Sequence, residues 1–106
     1  MRLVTFDIAK KLNEKGFDRY CFGMIVEHKE TGEYFSAASI SQVLEWLREK
    51  KIYVSVIIDD DSDTPVTYEI WKDTECVCSH QGEYFALEEW EECEMRAIEY
   101  ALDNLI

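Results

Sequence analysis

The chain has little of several things. In 106 residues there are one proline, four glycines and two histidines, and no apolar run approaches the ~20 residues a membrane-spanning helix requires. The low Pro and Gly content fits a single compact domain, and the chain shows no internal repeat or low-complexity tract. Basic residues are also few, 11 against 23 acidic ones, for a net charge of −12. A chain so anionic has no sequence-independent attraction to phosphate backbones or anionic lipid, so neither direct nucleic-acid binding nor membrane binding is expected. The opening stretch, residues 1–16, places polar groups where a signal peptide needs an apolar centre, so the expected location is cytoplasmic. On that reading Cys21, Cys76, Cys78 and Cys93 are thiols.

What is present suits one compact domain spanning 1–106. The chain is 47% apolar and carries 5 Phe, 6 Tyr and 3 Trp, more buriable surface than a disordered acidic chain holds. The first segment reads as a helix capped by Thr5, with Val4, Ile8 and Leu12 in one stripe and Gly16 ending it. Residues 20–27, a turn at Lys29–Gly32 and residues 33–36 read as a hairpin. Ser39-Ile-Ser-Gln42 is a capping box, and Ile40, Val43, Leu44 and Leu47 follow at helical spacing with Trp46 on the flank.

Residues 52–58, rich in β-branched side chains on both faces, read as a central strand. An acidic loop, Asp59 to Pro65, leads to a strand at 66–71, a further one at 76–79, a bend at His80–Gly82, and a helix over 87–104. The fold class is therefore α+β, an antiparallel sheet with helices packed against it, in the order α-β-β-α-β-β-(β)-α.

Three segments, Leu3 to Phe17, Ile40 to Ile52 and Ala97 to Ile106, resemble a group of small uncharacterised proteins common in Bacteroides-type gut bacteria and in their phages and mobile elements. The resemblance covers the two termini and the middle helix. It implies an opening amphipathic helix, a strand pair after the middle helix, a closing helix and a host or mobile-element context. It implies no reaction.

The constellations that could carry chemistry are incomplete. Asp59, Asp61 and Asp63 alternate like the start of a calcium loop, yet the sixth position is Thr64 instead of Gly and the twelfth Ile70 instead of Glu. Cys76, Cys78 and His80 share one face of an extended segment, with Cys93 on the next helix, but a strand holds such ligands parallel where zinc needs a knuckle turn. His28 has no such company, and no Ser-His-Asp or Cys-His spacing, Gly-rich phosphate loop or HExxH is present. No catalytic, cofactor-binding or metal residue is assigned, and no cofactor is expected.

Two features point to function. Glu91 and Glu94 project with Leu87, Ile98 and Leu105 on the side of the last helix that should be buried. Either the first turns overhang the sheet in water, or these carboxylates line a pocket or a partner contact near His80. Charge is also divided: residues 1–51 hold nine basic and eight acidic groups, residues 52–106 two basic and fifteen acidic. The reading that follows is a non-enzymatic interaction protein that engages a basic protein partner through its acidic half, or through an aromatic patch of Trp46, Trp71 and Trp90. In a phage or mobile-element product an acidic ridge of Glu88, Glu92, Glu99 and Asp103 could also imitate a nucleic-acid backbone. The alternative is a small enzyme or ligand-binding domain using Glu91, Glu94, His80 and Cys78. Nothing in the sequence opposes a homodimer.

Overall fold

A computed structural model describes residues 2–19, 24–58, 63–79 and 83–106. The order is α1 (Phe6–Glu14), β1 (Ile25–Glu27), β2 (Tyr34–Ser36), α2 (Ile40–Glu49), β3 (Ile52–Ile58), β4 (Val66–Lys72), β5 (Glu75–Ser79), a 3-10 turn (Leu87–Glu89) and α3 (Trp90–Asn104). This is an α+β fold, and among the described residues the strands form two antiparallel sheets, β1-β2 and β3-β4-β5, instead of one.

The local signals act as their chemistry requires. Thr5 caps α1, its hydroxyl accepting from the Ile8 amide, and Gly16 follows the helix at φ +83°. Ser39 and Gln42 form the reciprocal capping box of α2, with bonds of 3.1 and 3.0 Å that satisfy two otherwise orphaned amides. Gly32 turns the β1–β2 hairpin at φ +75°. His28 is used there as a turn residue, its Nδ1 accepting from the amides of Glu30 and Thr31. Residues 20–23, at the start of the expected first strand, lie outside the described residues, as does the loop from Asp59 to Ser62.

α3 is the element that the others share. It packs on β3 and β4, and α1 and α2 both rest against it, while the β1–β2 hairpin sits on α1. The contact face of α3 is Cys93, Ala97, Ile98, Ala101 and Leu102, all fully buried. The two alanines permit close approach, and Ile98 and Leu102 belong to the same buried cluster as Tyr68 and Ile70 of β4. The N-terminal segment is zipped to the start of α2: Val4 donates to the Ala38 carbonyl at 3.0 Å and Ile40 to that of Arg2 at 2.9 Å. That zipper sets Arg2 above the first turns of α3.

Two expectations are corrected. Among the described residues β4, not β3, is the central strand, and β3 lies at the edge. Composition misleads because β3 has apolar groups on both faces, whereas β4 contains Thr67 and Glu69. Thr67 is nonetheless fully buried, because its hydroxyl donates to the Glu83 carbonyl at 2.8 Å. Trp46 lies in the core, 4% exposed, edge-on to Phe17 and beneath the Lys50 ammonium. It therefore cannot join Trp71 and Trp90, which are 38% and 36% exposed, in a surface patch.

Truncating the shared helix at its centre should be costly. Leu102→Ala is expected to lose about 2–5 kcal/mol by urea denaturation, the range for emptying a packed aliphatic site.

Candidate functional site

Between the start of α1 and the outer side of α3 lies an open groove of about 370 Å³. Ile8, Phe85 and Met95 give it apolar walls, and Glu91, Glu92, Arg96 and Glu99 carry charge around them. Each wall has a local cause. Ile8 and Thr5 are placed by the α1 cap, and Phe85 is held by a two-bond bridge to Val66, at 3.0 and 2.8 Å. Glu83 fastens the same segment: its carboxylate accepts from the Tyr68 hydroxyl at 3.1 Å and pairs with Arg96 at 3.2 Å.

An ion-pair chain runs along the groove and ties α1 to α3. Arg96 reaches Glu99 at 3.7 Å, and Lys11 of α1 lies 3.4 Å from Glu99 and 2.9 Å from Asp103. The hydrogen bond to Asp103 holds the Lys11 ammonium above its ordinary pKa against the opposing pull of desolvation, with Glu99 adding to it. At the other end Arg2 donates to Glu94 and lies 3.9 Å from Glu91. The acidic second half is thus partly neutralised by basic residues of the first half. The ridge of Glu88, Glu92, Glu99 and Asp103 is accordingly not uniformly anionic, since Lys11 sits between its last two members.

The residues expected to meet in a pocket separate. Glu91 lines the groove and is exposed. Glu94 does not overhang in water: it is 8% exposed and takes the Arg2 guanidinium as its partner. The wheel placed Glu94 on the buried side correctly, and its partner lies 92 residues away in sequence, where no local pattern shows it. Leu87 belongs to the 3-10 turn and is 56% exposed, so it is not part of the helical stripe. His80 and the side chain of Cys78 lie outside the described residues. Cys76 is exposed on β5, whereas Cys93 is buried on the inner face of α3. Among the described residues no three His, Cys, Asp or Glu side chains are grouped to hold a metal ion.

Burial, together with the nearby Glu83 and Glu94 carboxylates, pushes the Cys93 thiol up from 9.0 to about 11. What the groove offers chemically is a small apolar floor ringed by carboxylates; Arg96, the lining cation among the described residues, is already engaged by Glu83 and Glu99. Sequence reasoning found Glu91 and missed Thr5, Ile8 and Phe85, which come from distant segments.

Two outcomes are expected. In a double-mutant cycle of Arg2→Ala and Glu94→Ala, urea denaturation should give a coupling of about 1–2 kcal/mol, above that of a fully exposed pair. Stability should hold up to pH 9 and fall as pH rises toward 11, because the unfolded chain releases the Cys93 proton first; Lys11, whose folded pKa is also raised, acts in the same direction. Urea midpoints measured at pH 8 and pH 10.5 check this. Compared with known proteins, the chain matches no family model, no curated protein and no solved structure at significant similarity.

Proposed function

We propose that the protein is a non-enzymatic binding module whose groove takes a basic segment of a protein partner, with a Lys or Arg beside an apolar side chain. The observation that supports this is the combination in one groove of Ile8, Phe85 and Met95 with the exposed carboxylates Glu91 and Glu92. An apolar side chain gains from the floor, and a cation beside it meets the rim, where association is steered by the wider negative field. A carboxylate ligand would meet like charge on the same rim.

Selection of displayed random peptides on the immobilised protein tests this. Enriched peptides should carry Lys or Arg next to apolar residues, and their affinity should fall as salt rises. Binding should weaken roughly tenfold or more in Glu91→Gln/Glu92→Gln, about 1.4 kcal/mol. Peptides without basic residues, or peptides that bind the double variant equally well, would overturn the reading.

A further inference from the structure

The edge of the three-stranded sheet carries an inference independent of the groove. Val66 exchanges both of its backbone hydrogen bonds with Phe85, so its amide and carbonyl point away from β3. In an antiparallel ladder that direction alternates. Thr67, Glu69 and Trp71 therefore bond across to Ile57, Ser55 and Tyr53, with which they are in register. The bond from the Asp73 amide to the Lys51 carbonyl, 2.8 Å, continues the same alternation. It follows that the amides and carbonyls of Ile52, Val54, Val56 and Ile58 face the open edge. Among the described residues they meet no other strand.

This edge lacks the protections that a strand's own sequence supplies. Ile52–Ile58 contains no charge, no proline and no bulge, and five of its seven residues are β-branched. The opposite edge differs: β5 is shorter, carries Glu75, and is out of step with β4 at Ile70/Trp71. In a chain of net charge −12 an uncharged seven-residue edge stands out, with Ile58 63% and Tyr53 37% exposed along it.

We propose that this edge pairs with β3 of a second copy of the chain, antiparallel and centred on Ser55, to make one six-stranded sheet. The strand is self-complementary about that centre. Val54 falls opposite Val56 and Ile52 opposite Ile58, and all four are residues whose backbone groups face the edge. On the core side the half-buried Val54 and Val56 and the exposed Ile58 of the two copies cover one another. Charge agrees with the antiparallel sense. In sequence the strand is preceded by Lys50 and Lys51 and followed by Asp59, Asp60 and Asp61, so reversing one copy brings the basic end of each strand to the acidic end of the other. Repulsion between two chains of net charge −12 is the opposing effect, and salt screens it over ~8 Å at physiological strength.

Ser55 provides the test, because it is exposed, lies on the proposed two-fold axis and faces Glu69 within its own chain. Sedimentation equilibrium of the wild-type chain should give a dimer of 12.5 kDa protomers that tightens as salt is added. Ser55→Lys sets two ammonium groups against each other at the axis while gaining a cross-strand partner in Glu69. It should sediment as a monomer with an unchanged circular dichroism spectrum. Ser55→Cys should form a 55–55 disulfide under mild oxidation, located by peptide mass mapping, since axis residues in a non-hydrogen-bonded pair lie within disulfide reach. A wild-type monomer at about 0.1 mM, a dimer that survives Ser55→Lys, or a folded Ser55→Cys chain that does not link through residue 55 would each overturn the proposal. Groove binding weakens with salt and this pairing strengthens, so failure of one is not failure of the other.

Discussion

The close approach of α3 to the three-stranded sheet is the constraint on which the other contacts depend. Ala97 and Ala101 bring the helix axis near β3 and β4, and Ile98 and Leu102 then fill the layer between them. Once α3 is seated, its outer side becomes the floor for α1, and α1 in turn carries the β1–β2 hairpin through Phe6, whose ring meets Phe35 and His28 at 5.5 and 5.2 Å. The groove exists because α1 starts at Thr5 and covers only part of that outer side. Its position therefore follows from a cap at one end of the chain and a pair of alanines near the other.

Electrostatics follows from the same packing. Taken along the sequence, the second half is an unrelieved acidic block, yet Lys11 sits on Glu99 and Asp103 and Arg2 on Glu94. The Lys11 pairs are partly exposed and contribute little stability individually. Their larger effect is to concentrate the remaining negative charge. Glu91 and Glu92 stay exposed at the groove, Glu91 with Arg2 3.9 Å away, and these are the carboxylates that the proposed basic partner would meet.

Much of the framework was legible because it rests on local chemistry. The Ser39–Gln42 box, the Thr5 cap, the turns at Gly16 and Gly32 and the Ala97-Ile98-Ala101-Leu102 stripe involve residues within a few positions of one another. What stayed hidden depends on distant segments. Trp46 reads as a flank residue until Phe17 folds over it. β3 reads as central because β-branched composition reports burial on two faces and is silent about hydrogen-bonding neighbours. Thr67 is buried through a hydrogen bond to the Glu83 carbonyl, 16 residues further on. Glu94 reads as misplaced until Arg2 is supplied from the far end, and the groove draws its lining from three separated stretches.

The span of the α1–α3 contact also bears on how the chain is made. Lys11 and its partner Asp103 are 92 positions apart, as are Arg2 and Glu94. At ribosomal speeds of about 5–20 residues per second, α1 leaves the translation machinery roughly 5–20 s before the helix that buries its apolar stripe. During that interval Val4, Ile8 and Leu12 have no α3 to cover them, and a nine-residue helix is marginal by itself in water. The contacts between α1 and α3 therefore form late in synthesis, and until then the apolar stripe of α1 is open to a holding chaperone.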